Sequence, residues 1–151
     1  MDKDIKAGPG AGSQDDAARG NVAPRIVVLI SDLIFGSKVR EVLKAAGMTG
    51  DFVASQAAVA AALCGPGVAA GAAGPANLLI VDLGDPLLGP LQGIREAVTR
   101  RIPVLAYGSH VDEAAFAAAR QAGATRVVPR SMFSARLPEL IAELVEKERG
   151  A

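Results

Sequence analysis

Short apolar runs alternate along this chain with longer segments in which apolar residues recur every three or four positions. The short runs are typical of buried β-strands, and the longer segments are typical of amphipathic helices. The predicted strands cover residues 25–30, 51–54, 77–82, 102–107 and 125–128. The predicted helices cover residues 37–46, an alanine-rich segment that follows the capping residue Ser55 and runs to about 63, and residues 88–100, 112–122 and 134–147.

A strand followed by a helix, five times over with short links, implies a parallel sheet that is covered by helices on both faces. The third strand must lie centrally, because its residues Leu78 to Val81 are uniformly apolar and such a strand is buried on both faces. The predicted fold is therefore of the α/β class, with a five-stranded, doubly wound sheet of order 2-1-3-4-5, as in flavodoxin-like proteins.

Residues 1–24 are rich in Gly, Ala, Asp and Pro and show no hydrophobic period, so the sequence predicts a disordered tail there. Residues 25–149 form the predicted folded domain. Gly and Ala also dominate residues 65–75, which predicts a loop. The N-terminus lacks the pattern of a signal peptide, and no apolar run is long enough to span a membrane. We therefore expect a cytoplasmic protein with no membrane partner.

The composition excludes several classes of function. The 16 Lys and Arg residues balance the 16 Asp and Glu residues, so no overall basic field attracts nucleic acid. Aromatic residues make up only 3% of the chain, which argues against modules that stack bases on rings. Cys64 is the single cysteine, so neither an intramolecular disulfide nor a multi-cysteine metal site is expected.

Asp82 ends the predicted central strand, at the carboxyl edge where open α/β sheets place their chemistry. Asp32, Ser109 and Arg130 follow the ends of three other strands, so the same edge should collect them. Two carboxylates, Asp32 and Asp82, could hold Mg²⁺, which accepts one or two carboxylates and keeps several waters. A helix cap is the alternative role for Asp32, and a salt bridge to Asp82 is the alternative role for Arg130.

Residues 25–149 resemble the receiver domain of bacterial two-component response regulators. Asp82-Leu83-Gly84-Asp85-Pro86 keeps the D-x-x-x-P spacing of the family's phosphoacceptor motif, and Gly123-Ala124 matches the lead-in to strand five. Arg130 stands at the position of the family's lysine, and Ser109 is one step beyond Gly108, which takes the place of the switch hydroxyl residue. Asp32 is the one acid where the family has a pair, and Val127 stands at the aromatic switch position.

The resemblance implies a stand-alone signalling domain that is not an enzyme and acts through protein–protein contacts. Asp82 would accept a phosphoryl group from a histidine kinase, Asp32 would help to hold Mg²⁺, and Arg130 and Ser109 would sense the product. Partners would be signalling proteins, either the histidine kinase or a downstream target. By the same resemblance, the last two helices and strand five could form a partner or homodimer surface.

Three alternatives stay open. The first is a pseudo-receiver that docks partners without phosphorylation. The second is a small-molecule binder of flavodoxin-like fold, although the loop from Ser31 to Ser37 carries an acid and an apolar run instead of a hydroxyl- and glycine-rich phosphate loop. The third is a hydrolase that uses Ser109, His110 and Asp82. Ser109 and His110 are adjacent, and adjacent residues seldom align as nucleophile and base, because catalytic triads are built from separate elements.

Overall fold

The structure is a computed structural model that describes residues 24–64 and 76–150, with residues 64 and 146–150 described as backbone alone. The predicted tail, apart from Pro24, and the predicted loop at 65–75 lie outside the described residues. Among the described residues, no helix combines the length and the apolar composition that crossing a bilayer requires.

Five parallel strands form one sheet in the order β2-β1-β3-β4-β5, which confirms the predicted topology. The strands are β1 (Arg25–Leu29), β2 (Thr49–Val53), β3 (Leu78–Asp82), β4 (Val104–Gly108) and β5 (Arg126–Pro129). The fourth strand begins two residues later than the sequence predicts. Pro103 has no N–H to donate, so regular pairing with β3 starts at Val104.

Helices cover both faces of the sheet. They are α1 (Leu33–Ala45), α2 (Gln56–Cys64), α3 (Pro90–Thr99), α4 (Glu113–Ala122) and α5 (Arg130–Gly150), and a 3₁₀ turn spans Pro86–Leu88. Ser55 caps α2 as predicted, because its Oγ accepts a hydrogen bond of 3.2 Å from the Ala58 N–H. Gly47 and Gly123 follow α1 and α4 at φ angles of 76° and 110°, in the left-handed region that glycine tolerates best.

Three predicted helix starts are wrong. Helix α1 begins at Leu33, four residues before the predicted position 37, because Asp32 caps it. The predicted helix 88–100 is divided by Gly89, whose φ of 64° separates the 3₁₀ turn from α3. Helix α5 begins at Arg130 and is interrupted at Arg136 (φ −125°, ψ 26°), so Pro138 lies in the first turn after the interruption, where a missing N–H costs little.

The core has two layers, one on each face of the sheet. On one face, alternate strand residues such as Ile26, Ile80 and Tyr107 pack against α1 and α5. On the other face, residues such as Leu29, Val81 and Ala106 pack against α2, α3 and α4. Because side chains alternate along a strand, Asp82 shares the face of Leu78 and Ile80. Its carboxylate therefore lies on the α1–α5 side, at the carboxyl edge of the sheet.

An ion pair lies at the opposite, amino edge of the sheet. Arg25 Nη1 donates to Asp51 Oδ2 over 2.8 Å, and Arg25 Nη2 donates to the carbonyl oxygen of Ala62 over the same distance. The two side chains are 4% and 7% exposed. This pair connects β1, β2 and α2 to one another, because its three groups come from three elements.

Candidate functional site at the carboxyl edge of the sheet

Asp82 is buried and only partly engaged. Its Oδ1 accepts a hydrogen bond of 2.8 Å from the Gly84 N–H and lies 3.7 Å from Arg130 Nη2, within ion-pair range but beyond a hydrogen bond. Its Oδ2 accepts no hydrogen bond from the described part of the chain. The structure therefore brings the predicted residues Asp82 and Arg130 together, and it leaves one carboxylate oxygen uncommitted.

Gly84 keeps the space beside this pair open. A Cβ atom at this position would lie 3.2 Å from Asp82 Oδ1 and 3.4 Å from Arg130 Nη2. Any side chain would therefore crowd both charged groups. Gly84 therefore donates its N–H to the Asp82 carboxylate and leaves the space beside Asp82 and Arg130 unfilled.

Arg130, the first residue of α5, is held over two aromatic rings. Its guanidinium carbon lies 5.2 Å from the centroid of Phe35 and 5.4 Å from that of Tyr107, within the range of cation–π attraction. Its side chain is 41% exposed. It makes no hydrogen bond with the described residues, so its N–H donors are available to an anion.

Three aromatic rings form a cluster below Arg130. Tyr107 stacks on Phe133 with ring centroids 4.1 Å apart, and Phe35 lies 5.3 Å from Tyr107 and 5.5 Å from Phe133. The low aromatic content of the sequence gave no reason to expect such a cluster. One signal was available, because the only tyrosine of the chain lies near the end of a predicted buried strand.

Tyr107 is fully buried, and its hydroxyl lies close to the Asp82 carboxylate but makes no hydrogen bond of good geometry with the described residues. Burial raises the pKa of the phenol far above its ordinary value near 10, and the neighbouring Asp82 carboxylate raises it further. Arg130 opposes these two effects only in part. A neutral phenol therefore lies beside the Asp82 carboxylate.

Asp32 is the N-cap of α1. Its Oδ1 accepts hydrogen bonds of 3.0 Å from the Ile34 and Phe35 N–H groups. The side chain is exposed, and its charge is close enough to Tyr107 to contribute to the raised pKa of that phenol. The capping role is thus observed, while the metal role stays a prediction.

Among the described residues, Ser109 and His110, which follow β4, make no hydrogen bond or ion pair with Asp82. A Cβ at Gly108 would lie 3.2 Å from Leu83 Cβ and 3.5 Å from a ring carbon of Phe116, so these two side chains limit the space for a side chain at position 108. Ser109 is exposed, and its Oγ accepts a hydrogen bond of 3.4 Å from the Val111 N–H. It lines a cleft together with Arg130 and His110.

Within the described chain, Ser109 and His110 make no hydrogen bond to each other, so the nucleophile–base contact that a hydrolase needs is not formed.

Asp85 is a site residue that sequence reasoning missed. Its Oδ2 accepts a hydrogen bond of 2.6 Å from Ser31 Oγ, and its Oδ1 accepts one of 3.0 Å from the Leu87 N–H. These contacts join the loop after β1 to the loop after β3. The Asp-Pro pair at 85–86 was the available signal, because such pairs often begin turns.

The acids of this edge can be compared with the requirements of Mg²⁺. Among the described residues, no group of three or more His, Cys, Asp or Glu side chains could hold a metal ion together. Both oxygens of Asp85 are engaged, whereas Oδ2 of Asp32 and Oδ2 of Asp82 accept no hydrogen bond from the described part of the chain. Each of these two acids thus retains one oxygen as a possible ligand, and Mg²⁺ prefers oxygen ligands and needs only one or two carboxylates.

No protein-family model and no curated protein matches this chain. The chain is, however, similar to solved structures. The signal receiver domain of an HD domain-containing protein from Pseudomonas fluorescens Pf-5 superposes with a TM-score of 0.70 at 14% identity, covering 85% of this chain and 99% of the other. The receiver domain of a sensor histidine kinase from Pseudomonas aeruginosa PAO1, with magnesium in its active-site cleft, gives 0.66 at 17% identity, covering 83% and 99%.

NtrX from Brucella abortus gives a TM-score of 0.67 at 18% identity over 85% of this chain, but this chain spans only 28% of the length of NtrX. Identities this low establish the fold alone. Together with the strand order and the acid at the end of β3, these superpositions show that this chain has the fold of the response regulator receiver (CheY-like) domains.

Proposed function

We propose that this chain is a receiver-like signalling domain that acts through contacts with other proteins and accepts a phosphoryl group on Asp82. The observation that carries the proposal is the set of contacts that Asp82 makes at the end of the central strand. One of its oxygens accepts no hydrogen bond of good geometry from the described residues, Gly84 leaves space beside it, and Arg130 lies 3.7 Å from its other oxygen.

In the proposed reaction, Asp82 Oδ2 attacks the phosphorus of a phosphohistidine on a histidine kinase. A new O–P bond forms, the P–N bond breaks, and its electron pair goes to the imidazole nitrogen, which leaves an acyl phosphate on Asp82. Arg130 can then donate its unused N–H groups to the phosphoryl oxygens. Ser109 lines the same cleft as Arg130 and is the proposed hydroxyl sensor of the product.

Asp32 and Asp82 would hold Mg²⁺ through their free oxygens. When bound, the ion would supply positive charge that neutralises the carboxylates and the incoming phosphoryl group. In this proposal, the contribution of the ion would be electrostatic.

Intact-mass measurement after incubation with acetyl phosphate and Mg²⁺ tests the proposal. The wild-type protein should gain the mass of one phosphoryl group as acetate leaves, and Asp82→Asn should gain none. Asp85→Asn is the matched control, because Asp85 is the other acid of the same loop and both of its oxygens are already engaged. An adduct that survives in Asp82→Asn, or no adduct on the wild-type protein, would overturn phosphorylation at Asp82.

A second candidate function is docking without phosphorylation, and exposed apolar side chains at the same edge favour it. Leu33, Ile34, Leu87 and Val111 are between 74% and 92% exposed, although each is large and apolar. They lie at the start of α1, in the 3₁₀ turn after β3 and in the loop after β4. The Ser31–Asp85 hydrogen bond holds two of these loops together. Exposed apolar groups concentrated in one region often mark a protein-binding surface.

The two candidates differ in what Leu87→Ser should do. If the apolar residues dock a histidine kinase, this variant should lower phosphotransfer from the kinase by about tenfold, the effect of losing roughly 1.4 kcal/mol of contact. Labelling by acetyl phosphate should not change. Val98→Ser is the control, because Val98 is an exposed apolar residue on α3, away from these loops. Docking without phosphorylation would be favoured if a partner bound Asp82→Asn as tightly as the wild-type protein but did not bind Leu87→Ser.

A further inference from the structure

A polar cleft lies beside Arg130. It has a volume of about 460 Å³, and Asp82 does not line it. Its walls come from the first turn of α1, the loop after β4 and the beginning of α5. The lining residues are Phe35, Ser109, His110, Arg130, Ser131 and Ser134.

The polar side chains of the cleft carry hydrogen-bond donors that are not engaged with the described residues. None of the lining residues is acidic, and the side chains of Arg130, His110 and Ser131 make no hydrogen bond to the described residues. Ser109 and Ser134 act as acceptors in their observed hydrogen bonds, from the Val111 N–H and from Lys38 Nζ. Their hydroxyl protons therefore remain free to donate. Lys38 also brings a second positive charge to the rim of the cleft.

Such a set of donors fits an oxyanion. A phosphate group has several strong acceptor oxygens, and hydrogen bonds to a charged acceptor are roughly twice as strong as neutral ones. A bare phosphate ion would fill only a small part of the volume, which lies in the usual range for sites that bind small organic molecules. Phe35 adds an apolar wall that an organic group could contact.

We propose that this cleft binds a small-molecule phosphate monoester without covalent transfer, with Arg130, Ser131 and His110 on the phosphate and Phe35 on the organic part. The site would give the domain a second, ligand-controlled input next to Asp82. It does not depend on phosphorylation of Asp82, because the ligand remains intact and Asp82 makes no contact with it.

Titration of the ¹⁵N-labelled protein with phenyl phosphate, in buffer with a metal chelator, tests the proposal by NMR. Backbone signals of residues 109–110 and 130–134 should shift together, and inorganic phosphate and phenol should each bind about tenfold more weakly than phenyl phosphate. Ser131→Ala and His110→Ala should each weaken binding about tenfold, the low end for a hydrogen bond to a charged group. Both side chains are exposed and make no hydrogen bond to the described residues, so both variants should fold.

Arg136→Gln is the matched control for charge. Arg136 lies on the same helix, is 60% exposed and does not line the cleft, so its loss should leave the affinity unchanged. Equal weakening by Arg136→Gln and Ser131→Ala would show attraction to general positive charge only and would overturn the site. The absence of localised shifts at about 10 mM phenyl phosphate would also overturn it, since such binding would be weaker than any useful affinity. Asp82→Asn separates this site from the proposed phosphotransfer, because it should abolish the acyl phosphate but retain phenyl phosphate binding.

Discussion

Arg130 interacts with Asp82 and with two aromatic rings, and both kinds of contact suit a guanidinium. A guanidinium is planar and stacks on rings, which the ammonium of a lysine does less well. Phe35 and Tyr107 supply those rings. Gly108 also suits its surroundings, because Leu83 and Phe116 occupy the volume that a larger residue at this position would need. Neighbouring side chains therefore complement both Arg130 and Gly108.

Tyr107 gives a prediction at the residue scale. Below pH about 10 its phenol is neutral in both the folded and the unfolded chain, so it adds no pH dependence. Above that pH the unfolded state loses this proton while the folded state keeps it, because burial raises the pKa in the fold. The unfolded state then binds fewer protons, and the free energy of unfolding should fall by about 1.4 kcal/mol per pH unit.

Tyr107→Phe should remove the contribution of the phenol to this loss of stability at alkaline pH. The contributions of other titrating groups should remain. Urea unfolding of both proteins at about pH 8 and about pH 11 measures the difference. Because Tyr107 is the only tyrosine, phenolate absorbance reports it alone. Phenolate absorbance at the ordinary pKa, while circular dichroism still shows the native fold, would contradict the prediction.

At the scale of elements, the start of α1 determines where several side chains of the site lie. The hydrophobic period from Val39 to Ala46 was clear in the sequence, but the first turn, from Leu33 to Gly36, has apolar residues that the fold leaves exposed or half-buried. Periodicity therefore could not locate the start of the helix. Asp32 does so by capping two N–H groups, and it thereby places Phe35 against Tyr107.

The two proposed roles of Asp32 can be separated by two substitutions. Asp32→Ala should lower the free energy of unfolding by about 1 kcal/mol, since it removes the cap, whereas Asp32→Ser should retain most of the stability because serine caps as well. Both variants lack the carboxylate, so both should weaken the Mg²⁺ dependence of acetyl phosphate labelling if Asp32 is a ligand. Urea titrations and labelling at several Mg²⁺ concentrations measure the two effects. If labelling of Asp32→Ser depended on Mg²⁺ as strongly as labelling of the wild-type protein, Asp32 would be a helix cap and not a Mg²⁺ ligand.

At the scale of the whole molecule, the two edges of the sheet differ in how their charges are used. At the amino edge, the Arg25–Asp51 pair is buried and bonded at 2.8 Å, and Arg25 also bonds to α2. At the carboxyl edge, Asp82 and Arg130 are separated by 3.7 Å, and Arg130 is partly exposed. The first arrangement holds three elements together, while the second leaves the Arg130 guanidinium without a hydrogen bond to the described residues.

The amino-edge pair should therefore be important for stability and not for the chemistry of the site. Asp51→Ala should lower the free energy of unfolding by about 3–5 kcal/mol, because it leaves Arg25 buried without its carboxylate. The double variant Arg25→Met with Asp51→Leu should recover much of that loss, because it removes both charges. Urea unfolding measures both effects. The folded fraction of Asp51→Ala should still label with acetyl phosphate at the wild-type rate, and a slower rate would contradict the separation of the two edges.

The sequence by itself determined the class, the strand order and the identity of the central acid. Alternating periods specify the elements, and the uniformly apolar Leu78-to-Val81 run can be buried only in the middle of a parallel sheet, which places Asp82 at its carboxyl edge. It did not determine which side chains meet there. The contacts of Tyr107, Phe35, Phe133 and Asp85 join strands, loops and helices that are far apart in the chain, so no local pattern encodes them. Only tertiary packing decided that Arg130 lies over aromatic rings and beside Asp82.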